Sequence, residues 1–128
     1  MKTSDLLWQD TQHQELFQMM QELKRSGEIG VPLIERLCDY VQHHFSLEEK
    51  YMEVCGFPQD KAEIHIRAHR MFERKITSIS ESQQILTQGL KNAQFRQELA
   101  EFLERWLETH IMGLDKELEA HVLKSKIK

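Results

Sequence analysis

At 128 residues, 40% hydrophobic and 30% charged, the chain is long enough for one compact domain with a real core and too short for two ordinary ones. Its 17 basic residues are scattered among 21 acidic ones for a formal charge of -4, which leaves no basic stripe for nucleic acid or an anionic membrane. No apolar run approaches the roughly 18 residues a membrane helix needs, and the opening MKTSDLLWQD lacks the apolar stretch of a secretion signal, so a cytoplasmic protein is expected.

Turn signals fall at Gly27 to Gly30, at Gly56-Phe57-Pro58 and around Gly89, and the segments between them all carry the helical period. A first helix is predicted over 10–26 from Leu16, Met20 and Leu23. A second, over 31–55, rests on Leu33, Leu37 and Val41, with Pro32 suited to its first turn and Gly56 to the position past its end. The third, over 60–87, rests on Phe72, Ile76 and Ile79, and the fourth, over 91–122, on Phe95, Leu99, Leu103 and Trp106. Nothing alternates with period two. Short connections make neighbouring helices antiparallel, so the expected fold is all-α, a single up-down-up-down four-helix bundle.

Extending each apolar stripe by its own period brings polar residues onto it. The first stripe runs back through His13, the second forward through His44 and Glu48, the third back through His69 and His65, and the fourth forward through His110. An ionised, unpaired glutamate on a core stripe costs several kcal/mol, and its escapes are protonation, a basic partner or a metal. The intervals suit a metal: 44/48 and 65/69 each place two side chains about 40° apart around the helix and roughly 6 Å apart along it. Both members of each pair can then reach one point.

Registration is an independent check, because residues of antiparallel neighbours share a height when they are equally far from the turn between them. His13 and His44 are each about 15 residues from the first turn's centre, between Glu28 and Ile29. Glu48 and His65 are similarly balanced about Phe57, and His69 and His110 about Gly89. Independent structural histidines have no reason to share a height. His43 is rotated about 100° from His44, and His121 lies about 16 Å beyond His110, so both are read as non-ligands. Cys38 and Cys55 would lie roughly 25 Å apart on one helix, beyond disulfide reach, and are expected to be free, buried thiols.

Asp115 follows His110 by five residues, about 140° around an ideal helix. On spacing alone, an aspartate beside Lys116 reads as a solvated surface charge, and Gly113 between the two is expected to loosen the helix. Five imidazoles with one or two carboxylates exceed what a four-coordinate structural zinc uses, so two metals are implied, and mixed nitrogen and carboxylate donors suit iron. The repeated E-x-x-H of ferritin-type bundles is missing, since no histidine here has a glutamate three residues before it.

The sequence resembles the hemerythrin family, specifically its bacterial members. The matching pieces are DTQHQELF around His13, YVQHHFSLEEKYM around His44 and Glu48, HIRAHRMF with His65 and His69, and WLETHIMGLD with His110 and Asp115. They stand in the family's order and span residues 10 to 115. The resemblance implies that His65, His69 and His110 hold one iron, that His13 and His44 hold another, and that Glu48 and Asp115 bridge the two with a solvent-derived oxo or hydroxo group. It further implies reversible O2 binding at an open position of the second iron, in a dry pocket to which Phe45, Trp106 and Leu107 contribute; as plain sequence these three also read as core.

An O2 carrier or store is therefore expected. The alternative is an O2 or redox sensor that signals to a protein partner through its last helix, where the tail ELEAHVLKSKIK lies. Enzymatic oxygenation is not expected, because the resemblance leaves a single open position and no substrate cleft can be read.

Overall fold

The computed structural model describes residues 2–25, 30–82, 84–85 and 88–125. Four long helices follow a short N-terminal arm: α1 (Leu7–Arg25), α2 (Gly30–Val54), α3 (Gln59–Glu81) and α4 (Ala93–His110). A five-residue π-helical turn, Ile111–Asp115, then joins α4 to a last helix, α5 (Lys116–Lys124). The architecture is an antiparallel four-helix bundle, with no strand among the described residues.

The helix ends follow from local chemistry. Gly56 has φ +69°, the left-handed conformation that closes α2. Phe57 N–H then reaches back to Met52 O at 2.9 Å while Phe57 and Met52 share one apolar cluster, the pairing that seals a Schellman motif. Pro58 supplies its fixed φ of -53° just before α3. Asn92 caps α4, its side chain accepting Phe95 N–H at 3.1 Å.

Several bounds differ from the sequence expectation. The first helix begins at Leu7 rather than residue 10, because Leu6 and Trp8 extend the apolar packing one turn upstream. The third stops at Glu81 rather than 87, where Ser82 turns extended at φ -85° and ψ 107°. A 3-10 turn, Gly89–Lys91, precedes α4, which starts at Ala93 rather than 91. Gly27, the first turn's centre and residues 83, 86 and 87 lie outside the described residues. Both cysteines are free, as expected, but half-buried rather than buried.

The core is in two pieces. A larger cluster holds Leu16, Met20, Leu37, Val41, Phe45, Phe72, Ile76, Leu103 and Leu107, and a smaller one holds Leu6, Met52, Phe57, Leu118 and Val122. On every helix the residues between the two are polar and buried: His13 on α1, His44 and Glu48 on α2, His65 and His69 on α3, His110 and Asp115 at the π turn. That layer gathers seven buried polar side chains between the two apolar clusters.

Candidate metal centre

All seven of these side chains are at most 5% exposed, and their donor atoms converge. Glu48, His65, His69, His110 and Asp115 form one group and His13, His44, Glu48 and Asp115 a second, with the atoms of each group within 4.8 Å of one another. The two carboxylates belong to both. Asp115 Oδ1 lies 2.9 Å from His65 Nε2 and 3.0 Å from His110 Nε2, while its Oδ2 lies 2.9 Å from His13 Nε2. Glu48 Oε1 lies 3.1 Å from His69 Nε2, and its Oε2 lies 3.7 Å from His44 Nε2. Each carboxylate thus spans the two histidine sets with one oxygen toward each.

Asp115 is 2% exposed and is no surface charge, so spacing on an ideal helix misplaced it. The π turn is the reason: its wider winding closes the angle between positions five apart and turns Asp115 inward beside His110. Gly113 does not loosen this segment through backbone freedom, since its φ is not positive.

The donor set passes a test of fit for metal ions. Nε2 of His13, His44 and His69, Glu48 Oε1 and Asp115 Oδ2 are buried and make no hydrogen bond despite facing each other. Leaving such groups unpaired is costly, and a cation at their meeting point satisfies them together. The outward nitrogens of His13, His44 and His69 are held. Thr3 Oγ1 donates to Asp10 Oδ1 at 2.9 Å, so it accepts His13 Nδ1–H at 2.9 Å. Gln12 Oε1 accepts from His44 Nδ1, and Glu49 Oε2 from His69 Nδ1 at 2.8 Å. Protons on the outer nitrogens leave the inner lone pairs free for a metal, and these contacts lock the rings in orientation.

Electrostatics reinforces this. Burial pushes the His44 imidazole down to about 4, outweighing the pull of Glu48, so this ring is neutral and ligand-ready at neutral pH. Burial and Asp115 press the Glu48 carboxyl upward, yet His44 and His69 hold it below the ordinary carboxylate range. Burial likewise opposes ionisation of Asp115, and His110, His13 and His65 overcome it, leaving Asp115 well below its ordinary value. His69 is raised because the nearby carboxylates of Glu48 and Glu49 outweigh desolvation, so metal uptake there must displace a proton.

The three residues expected to wall a pocket are placed as follows. Phe45 stacks on His69 with centroids 3.8 Å apart and also lies 5.8 Å from His44. Trp106 stacks on His110 at 4.7 Å and on Phe72 at 4.3 Å, on the three-histidine side. Leu107 is buried in the larger core cluster. His43 is exposed, and His121 faces Cys55 O at 3.1 Å, so neither enters the centre.

Sequence reasoning missed Thr3, Gln9, Gln12 and Glu49, the residues that orient the donors. Thr3 precedes any helix and has no period to betray it. Gln9 had a signal: it lies one turn before His13 on the same stripe.

A four-helix bundle with a buried histidine and carboxylate centre is a metal-binding protein of the non-haem type. The chain belongs to the hemerythrin HHE cation binding domain family, whose model matches residues 6–122. A bacteriohemerythrin of Stenotrophomonas maltophilia is 28% identical over 123 residues, which cover 88% of this chain and 74% of that protein. One of Pseudomonas aeruginosa is 30% identical over 112 residues, 83% of this chain and 67% of the relative. No solved structure matches the chain at comparable significance. Among the described residues no helix is long and apolar enough to cross a membrane.

Proposed function

We propose that the chain holds two irons, bridged by Glu48, Asp115 and an oxo or hydroxo group, and binds O2 reversibly at one of them as a carrier or store. The observation that carries this reading is the unequal division of donors. His65, His69 and His110 gather on one side of the shared carboxylates and only His13 and His44 on the other. With the bridges common to both, the two-histidine side has one protein donor fewer, which leaves a position for a small exogenous ligand. When bound, a ferrous pair supplies the electrons that O2 takes up on binding and returns on release.

The chain's own residues do the rest. Thr3, Gln12 and Glu49 hold the imidazoles at fixed angles, and Phe45 with the larger core cluster keeps water from the layer. The family supports iron, and the relatives' printed name, bacteriohemerythrin, agrees with it. The reading makes the protein non-enzymatic, with O2 rather than nucleic acid or membrane as its partner. Its two free thiols fit the reducing cytoplasm.

One observation favours the sensor alternative: α5 begins directly after Asp115 and packs Leu118 and Val122 into the smaller core cluster, so a shift at that carboxylate would be passed to the helix start. The experiment is an optical spectrum of the iron-loaded protein, reduced anaerobically, opened to O2 and purged. A visible charge-transfer band that appears with O2 and vanishes on purging supports the carrier. Immediate irreversible oxidation supports the sensor, and no band at all contradicts both.

A further inference from the structure

Gln9 is a polar side chain at a core position, fully buried, and it is not one of the converging donors. Its amide is engaged at both ends: Nε2 donates to Glu48 Oε2 at 2.8 Å and Oε1 accepts from Ser4 Oγ at 2.6 Å. Ser4 is itself buried, and its Oγ accepts Leu6 N–H at 3.0 Å.

The direction of this chain is fixed by chemistry. Were the amide reversed, its carbonyl oxygen would face a carboxylate oxygen, so the N–H side must face Glu48. The carbonyl then takes the single hydroxyl proton of Ser4, whose lone pair is occupied by a backbone N–H that can only donate. Three consecutive donors therefore point toward one carboxylate, and each polarises the next. The arm that carries Ser4 is pinned on both sides, with Thr3 N–H donating to Asp10 Oδ1 at 2.5 Å and Asp5 N–H to Glu119 Oε2 at 3.3 Å.

Glu48 is thus held asymmetrically, Oε2 bonded to Gln9 while Oε1 faces His69 Nε2 with no hydrogen bond. We propose that Gln9 is the positioning residue of Glu48, and that with Ser4 it forms a donor chain from the N-terminal arm that fixes the carboxylate's rotation and weakens its donation to metal. The inference rests on the di-iron reading. A hydrogen bond into a ligating carboxylate withdraws negative charge, which disfavours the more highly charged ferric pair and so holds the centre in its reduced state.

The test is a redox titration of the iron-loaded protein and the rate of iron loss to excess EDTA, for wild type, Gln9→Leu, Ser4→Ala and the double variant. Gln9→Leu is expected to favour the oxidised pair about tenfold, roughly 59 mV for a one-electron step. Iron loss should quicken on the order of tenfold, because losing the carboxylate's fixed rotation outweighs its stronger donation. Ser4 touches Glu48 only through Gln9, so Ser4→Ala should give a smaller shift in the same direction and none when added to Gln9→Leu. A lower melting temperature with unchanged potential and iron loss makes Gln9 merely structural and overturns the proposal, as does a Ser4→Ala shift of equal size in both backgrounds. If Gln9→Leu fails to fold, Ser4→Ala decides alone: a wild-type potential in that variant overturns the proposal. A wild-type protein that takes up no iron overturns the di-iron reading as well, whereas variants with two irons and wild-type potentials overturn this inference only.

Discussion

His110 Nε2 and Asp115 Oδ1 lie 3.0 Å apart although the residues are five positions apart in sequence. On a regular helix the two would diverge by about 140°. The π turn Ile111–Asp115 brings them onto one face, which sets Asp115 among the same donors as Glu48. The local irregularity and the site are therefore one feature.

Gly113 sits inside that turn with a negative φ, and a Cβ built there meets nothing within 4 Å. Gly113→Ala should raise stability by about 0.5–1 kcal/mol through helix propensity and leave iron uptake unchanged. Gly56, at φ +69°, should behave oppositely, Gly56→Ala costing about 1 kcal/mol. Thermal unfolding of the two variants beside wild type checks the pair. Loss of iron in Gly113→Ala would mean that the glycine is what permits the π turn.

Acid should destabilise the chelator-stripped protein through His44. The ring titrates near 6.5 when unfolded and is pushed down to about 4 when folded, so between those values only the unfolded chain carries the extra proton. Stability from this group is complete above 6.5 and falls as pH drops toward 4, by about 3 kcal/mol. His69, raised by Glu48 and Glu49, contributes with the opposite sign, its stabilisation present in acid and lost as pH rises through its folded value. His44→Gln, neutral throughout, should flatten the fall between 6.5 and 4. Denaturant unfolding at several pH values measures this, and equal slopes for variant and wild type would contradict it.

The partners of the outer nitrogens should matter to metal affinity without touching metal. Glu49→Leu removes the acceptor of His69 Nδ1–H and should weaken iron binding about 10–100-fold. Glu22→Gln, which weakens a surface contact to Arg36 away from the centre, serves as the control and should bind as wild type. Chelator competition gives both numbers; equal affinities for the two variants would remove Glu49 from the account.

Phe45 is 1% exposed and stacked on His69, so it supports both the core and the ring. Phe45→Ala should cost about 3–5 kcal/mol, most of it cavity. Phe45→Leu retains most of the apolar volume and should lose much less, with the O2-dependent spectrum more persistent than in the alanine variant. Melting curves and spectral decay rates of the two variants together report whether dryness at His69 matters.

Much of this was legible in the amino-acid order, for a physical reason. His13, His44, Glu48, His65, His69 and His110 fall on core stripes whose period is that of the helix, and equal distances from turns put them at one height. Asp115 was not legible from spacing, because a π turn changes the residues per turn and leaves no periodic trace. Thr3, Gln12 and Glu49 were invisible for another reason: each reaches the centre through a contact to one histidine, from positions that read as arm or helix surface. Gln9 could have been found by asking of it what was asked of Glu48, why a polar group stands on an apolar stripe.

The central claim is that these seven side chains make one centre with two metal positions sharing Glu48 and Asp115. Counting iron per chain after anaerobic loading and desalting, in wild type and in Glu48→Ala, tests it most directly. The account predicts two irons in the wild type and a loss at both positions when the shared carboxylate is removed. A single iron in the wild type, or two irons undisturbed in Glu48→Ala, would contradict it.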